Sequence, residues 1–166
     1  MNRIVYMVLR HLPIVPYWFW KIDHMGKRPD QYPEQERYDY LRNIIKTINQ
    51  NGRVTVRGYG EEQLPKENGF ILFPNHQGFT CPKPLGVIIK KEAANWILVK
   101  QVLRLLGGIP MDRSDIRAAM EVIKEMTRQV KEGKNYVIFP EGTRSRKGNE
   151  LLEFKAGTFK SAINAG

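Results

Sequence analysis

Four short, largely apolar runs punctuate the chain: Phe70–Phe73, Gly86–Lys90, Ile109–Met111 and Tyr136–Phe139. Each is strand length and bounded by glycine, proline or polar residues, as expected of strands covered on both faces. Helical spacing fills the intervals. Glu36–Asn49 carries Leu41, Ile44, Ile45 and Ile48, and Asn51-Gly52 ends it. Ala93–Leu106 offers Trp96, Ile97, Val99, Val102 and Leu105 as a core face, and Gly107-Gly108 caps it. Asp115–Glu132 is the most regular, with Ile116, Met120, Val122, Ile123, Met126 and Val130 on one side. Ser114 or Asp115 can cap its start and Gly133 its end. Thr158–Asn164 begins a last helix, Arg53–Gly58 reads as an additional short strand through Val54 and Val56, and Glu61–Asn68 is a polar turn. Alternating strands and helices predict an α/β fold with a largely parallel sheet flanked by helices. A chain of 166 residues with 42% hydrophobic content makes one domain the expectation.

The N-terminus differs in character. Tyr6, Tyr17, Trp18 and Trp20 lie among aliphatic residues, with Arg3, Arg10 and Lys21 as cationic anchors. Arg10, His11, Pro13 and Pro16 interrupt the apolar stretch, well short of the roughly 20 residues a spanning helix needs. With Arg10 inside the stretch and no small-residue cleavage site after it, a signal peptide is not expected. Aromatic rings with polar edges favour the headgroup level of a bilayer, so residues 1–35 are expected to form a membrane-interface helical segment followed by a linker over 23–35. Packing of this helix on the protein's own core is the alternative. Residues 36–166 would then form the main domain.

A net charge of +10 points to an anionic partner. The cations do not gather into a stripe with interleaved aromatics, so nucleic acid is not the expected one. The single cysteine, Cys81, excludes an intrachain disulfide and a multi-cysteine zinc site and fits a reducing, cytosol-facing setting.

The chemistry-bearing residues cluster at strand exits, where ligands bind in open α/β sheets. Asn75-His76 follows the first run, and a histidine there can act as general base near neutral pH. Pro140-Glu141-Gly142-Thr143-Arg144 follows the last. In it Arg144 can grip a phosphate with paired hydrogen bonds and Gly142 lets backbone approach a ligand. A charged turn in which Glu141 and Arg144 merely pair is the alternative. Gly107–Arg113 ends in Asp112-Arg113 after a short strand, and Phe154-Lys155-Ala156-Gly157 adds a lysine before the last helix. His11 and His24 have no evident role.

In order and spacing these blocks resemble the glycerolipid acyltransferase family, in particular bacterial 1-acylglycerol-3-phosphate acyltransferases. Asn75-His76, Gly107–Arg113 and Phe139–Ser145 correspond to that family's first three blocks, and the similarity runs from about Tyr38 to the end. The resemblance implies transfer of an acyl group from acyl-CoA or acyl carrier protein to the free hydroxyl of lysophosphatidic acid, at the cytoplasmic face of a membrane. No cofactor, metal or covalent acyl-enzyme is implied. His76 would take the hydroxyl proton. Glu141, Gly142, Thr143 and Arg144 would bind the glycerol phosphate, with help from Arg113 and Lys90.

The chain also departs from the family pattern. The aspartate expected five residues after the histidine is Cys81, and no acid lies between His76 and Glu92. Only eleven residues separate Pro74 from Gly86, including Pro82 and Pro84. Parallel crossovers commonly use a helix, so we expect about nine family residues, among them the aspartate and most of a helix, to be absent. The family's later Val-Pro block is also missing from the sequence. A buried aspartate fixes the tautomer of a catalytic histidine, and its loss in a serine-protease triad costs about 10⁴ in kcat, so weak activity is expected. Cys81 itself precedes a proline in a tight loop and is not expected to be a nucleophile.

Overall fold

The computed structural model describes residues 9–74, 81–112, 114–143 and 150–165. Four parallel strands form the sheet: β1 (Ile71–Leu72), β2 (Gly86–Lys90), β3 (Ile109–Met111) and β4 (Tyr136–Val137), in the spatial order β1-β4-β2-β3. The register pairs Leu72 with Val137, Val87 with Val137 and Lys90 with Met111. The bounds of β2 and β3 are those the apolar runs predict. β1 and β4 are shorter, although Tyr136 N–H to Phe70 O (3.0 Å) and Ile138 N–H to Leu72 O (3.0 Å) continue the bonding along them.

Period-two alternation divides the sheet's side chains between two cores. Ile71, Phe73, Ile88, Ile109, Tyr136 and Ile138 face helix α5 (Ile116–Lys131) through its Met126 and Val130. Asp115 caps α5 by accepting from the N–H groups of Arg117 (2.9 Å) and Ala118 (3.1 Å). On the opposite face Phe70, Leu72 and Val87 meet Tyr38 of helix α2 (Glu34–Asn51), Leu85 and Leu106.

Helix α1 (Val15–Gly26) adds an outer layer. Its Ile22 and Met25 pack on Ile44 of α2 and Leu105 of helix α4 (Val99–Leu105) in a cluster without strand residues. Leu12, Ile14, Val15, Tyr17 and Trp20 stay exposed on the other side. Helix α1 therefore runs to Gly26, four residues into the expected linker, and one side of it packs on the domain. Among the described residues no helix is long and apolar enough to cross a membrane.

Three sequence expectations fail here. Arg53–Gly58 forms no strand. Arg53 takes a left-handed conformation (φ 52°), Val54 N–H bonds back to Asn49 O (2.9 Å), and Val54 and Val56 are exposed, because two alternating valines without a ladder partner do not make a strand. The expected helix 93–106 is broken into α3 (Lys91–Ala94) and α4, with Leu98 at φ 71° between them. The break lets Val102 and Leu105 reach α1 and leaves Trp96 and Ile97 in solvent. Ile116 and Met120 are also exposed rather than in the core of α5. The chain closes with a 3₁₀ turn (Ala156–Phe159) and helix α6 (Lys160–Ala165).

Candidate active site

The shared register of β1 and β4 organises the carboxyl edge of the sheet. Leu72 and Val137 are paired neighbours in parallel strands. His76 follows Leu72 by four residues, and Glu141 follows Val137 by four. The strands that lead in sequence to the two blocks are therefore adjacent and run to the same edge. β2 and β3 end beside them in Lys90-Lys91 and Met111-Asp112. His76, Arg113 and Arg144 lie outside the described residues.

The β4 exit is a β-turn. Gly142 N–H closes it on Phe139 O (3.0 Å), with Pro140 at its second position and Gly142 at φ 71°. Proline presets the turn and glycine accepts the left-handed geometry without a Cβ penalty. The turn directs Glu141 inward. Glu141 is 5% exposed, and its Oε2 accepts the backbone N–H of Leu152 at 3.1 Å. Lys155 N–H donates to Pro140 O (2.9 Å). These two bonds lay the segment from Leu152 to Phe159 across the strand exits. Phe159 packs on Phe73, two residues before Asn75, with ring centroids 4.8 Å apart. Thr143, at the end of the turn, is exposed.

Beneath the turn lies an apolar cavity of about 210 Å³ on the α5 side of the sheet, lined by Ile88, Met111, Ile138, Phe139, Gly142 and Lys155 among others. Its rim is polar. Asp112 Oδ1 accepts from Ser114 Oγ (2.6 Å) and Ser114 N (3.0 Å), while its Oδ2 pairs with Lys91 Nζ at 3.3 Å. The Ser114 hydroxyl, the Ser114 N–H and Lys91, in that order, hold the Asp112 carboxyl down to about 2. Lys90 Nζ bonds Glu92 at 3.0 Å and remains exposed. Among the described residues no three histidine, cysteine or acidic side chains gather as a metal site would require.

The Acyltransferase family profile matches residues 53–166. The chain belongs to the acyltransferase family. It is 31% identical over 115 residues to a 1-acyl-sn-glycerol-3-phosphate acyltransferase of Borreliella burgdorferi, covering 64% of this chain and 46% of that protein. It is 31% identical over 117 residues to a Bacillus subtilis protein of the same name, covering 65% and 57%. The chain thus spans about half the length of these relatives. The crystal structure of the 1-acyl-sn-glycerophosphate acyltransferase PlsC from Thermotoga maritima superposes with a TM-score of 0.64 at 25% identity, over 96% of this chain and 72% of that one. The parallel sheet flanked by helices is thus an acyltransferase fold.

Several described residues that shape this edge have no part in the sequence reading. Lys91, not Lys90, contacts the Asp112 carboxylate. Lys155 shares the cavity with Gly142, a position signalled by the Phe154–Gly157 block. Asn135, 3% exposed, ties the strand entrances together and had no signal in the sequence. Its Oδ1 accepts from Gly69 N–H (2.8 Å), and its Nδ2 donates to Pro84 O (3.1 Å) and Asn68 Oδ1 (3.2 Å).

Cys81 packs with Tyr38, Leu85 and Leu106 on the α2 side, and its carbonyl accepts Tyr38 Oη–H at 2.8 Å. Burial, the largest influence on it, pushes the thiol pKa up. That keeps it protonated and less nucleophilic. The two described acidic residues of the candidate blocks, Asp112 and Glu141, are engaged by Ser114 with Lys91 and by the Leu152 N–H.

Proposed function

We propose that this site binds 1-acylglycerol-3-phosphate at a membrane surface and transfers an acyl group to its sn-2 hydroxyl from acyl-CoA or acyl carrier protein, with much reduced turnover. The supporting observation is the matched register of β1 and β4, the strands that precede the His76 and Glu141–Arg144 blocks in sequence. His76 accepts the hydroxyl proton as the hydroxyl oxygen attacks the thioester carbonyl. A C–O bond forms, the C–S bond breaks, and the proton passes to the departing thiolate. Arg144, Arg113 and the Gly142 turn hold the phosphate monoester, which cationic forks and backbone N–H groups suit. Glu141 serves by fixing the Leu152–Phe159 segment, and the cavity beneath Gly142 takes part of an acyl chain. The exposed apolar side of α1 rests in the headgroup region of the cytoplasmic leaflet.

Turnover is reduced because a cysteine stands where the family carries the aspartate that orients its histidine. The test measures phosphatidic acid formed from oleoyl-CoA, or oleoyl acyl carrier protein, and 1-oleoylglycerol-3-phosphate in mixed micelles. Slow turnover that falls a further 10²–10⁴-fold in His76→Ala supports the reading, that being the usual worth of a general base. Lipid binding with no turnover makes the chain a membrane-binding acyltransferase-like module, which the cysteine at position 81 would explain. Activity unaffected by His76→Ala overturns the mechanism.

A further inference from the structure

Asn95–Leu98, the connection between α3 and α4, has a composition that the protein's own packing does not use. Trp96 is 66% exposed, Ile97 83% and Leu98 49%, so three consecutive large apolar side chains face water. Single exposed apolar residues are ordinary on protein surfaces, but a contiguous run headed by tryptophan marks an interaction site.

The backbone reinforces the point. Leu98 holds φ 71° and ψ −47° at the N-cap of α4, close to a γ-turn geometry that is rare for a side chain bearing a Cβ. It supplies no side-chain cap to α4. The break lets α4 reach α1, yet the Leu98 side chain itself neither caps the helix nor enters the core.

Charge indicates the partner. Between residues 90 and 104, Lys90, Lys91, Lys100 and Arg104 are opposed within the stretch only by Glu92. Lys90 and Lys91 pair with Glu92 and Asp112 but stay largely exposed, and Lys100 is exposed as well. A tryptophan and two aliphatic residues surrounded by lysines match a bilayer interface, where the indole sits at headgroup depth and ammonium groups meet anionic lipid. Position agrees with this. The run follows β2 at the carboxyl edge of the sheet, and α4, which it precedes, packs directly on α1.

We propose that Trp96-Ile97-Leu98 is a second membrane-insertion point, which together with α1 seats the carboxyl edge of the sheet on an anionic lipid surface. This rests on the membrane-surface reading given above. It adds that the sheet domain itself touches lipid, so that a lysophospholipid reaches the site without leaving the leaflet.

The test uses the full chain carrying Trp18→Phe and Trp20→Phe, which leaves Trp96 as the sole tryptophan. Vesicles are phosphatidylcholine alone or phosphatidylcholine with 30% phosphatidylglycerol. The expected result is a blue shift of Trp96 emission on the anionic vesicles and quenching by lipids brominated near the headgroup. Ile97→Asp, at an exposed position, should weaken binding at least fivefold with an unchanged melting temperature. Unshifted Trp96 emission and unaltered Ile97→Asp affinity, in a chain that still binds vesicles, refute the insertion point and leave the α1 contact standing. Failure of the parental chain to bind either vesicle refutes both. A Trp96 shift produced by acyl carrier protein but by neither vesicle overturns the proposal in favour of a protein partner.

Discussion

Replacing Glu141 by alanine tests what the most buried acidic side chain of the site does. In the fold its carboxylate is 5% exposed and accepts Leu152 N–H at 3.1 Å. A hydrogen bond to a charged group is worth about 1.5–3 kcal/mol. Leu152 is half-buried, so water recovers part of the loss at the orphaned N–H, and the lower half of that range applies. Glu141→Ala should therefore cost about 2 kcal/mol, a Tm drop of about 4–8 °C for a domain of this length. Glu141→Gln keeps an oxygen at the same place and should lose about 1 kcal/mol or less. Thermal unfolding followed by circular dichroism reads both. In the acyl-transfer assay both variants should raise KM for the lysophospholipid, because the segment carrying Lys155 to the Gly142 turn loosens. A Tm for Glu141→Ala within 1 °C of the parent would show that the Leu152 bond holds nothing. An improved KM in Glu141→Gln would mean that the carboxylate faces the phosphate and repels it.

Asp112 should titrate with a midpoint near 2, measurable by carboxyl NMR, and Ser114→Ala should raise that midpoint by removing its leading cause. Since the folded value is depressed, its stabilising contribution is present above the ordinary aspartate pKa and is lost as pH falls toward 2. Gly86→Ala should destabilise the domain by about 1–3 kcal/mol in urea unfolding, because the added Cβ would lie 2.6 Å from Cε1 of the fully buried Tyr136 ring. A neutral result would mean that β2 can shift away from β4.

Local pattern carried much of this architecture. The residue limits of β2 and β3 and the Asp115 cap of α5 could be read directly, because buried runs, a carboxylate before a helical repeat and terminal glycines each act within a few residues. Strand order could not be read. Nothing local says that β4 inserts between β1 and β2, yet that insertion is what pairs β1 with β4. The same limit explains the break at Leu98, which serves contacts between α4 and α1, and the pairing of Lys91 with Asp112, which depends on how β2 and β3 end side by side. Asn135 carries no local signal because its two partner segments, 68–69 and Pro84, lie far from it in sequence. Trp96 and Ile97 were assigned to a helix's core face on spacing alone. Helical spacing identifies an apolar stripe but not whether the protein or a bilayer covers it.

Cys81→Asp restores the family's residue type, and it should not restore the family's activity. An aspartate that fully oriented His76 would be worth about 10⁴ in kcat by analogy with the protease triad. Position 81, however, belongs to the α2 side of the sheet, packed with Tyr38, Leu85 and Leu106. The cavity under Gly142 lies on the α5 side. Tyr38 Oη–H holds the carbonyl of residue 81 there at 2.8 Å. Burial already pushes the thiol up, and a carboxyl in its place meets the same desolvation, only partly offset by Arg42 and the Lys83 N–H. The charge would therefore cost stability, on the face of the sheet away from that cavity. We expect less than a tenfold gain in turnover and a lowered Tm. A gain of a hundredfold or more would show that the chain carrying residue 81 can swing its side chain to the histidine, and that the eleven residues between Pro74 and Gly86 suffice to build the catalytic pair.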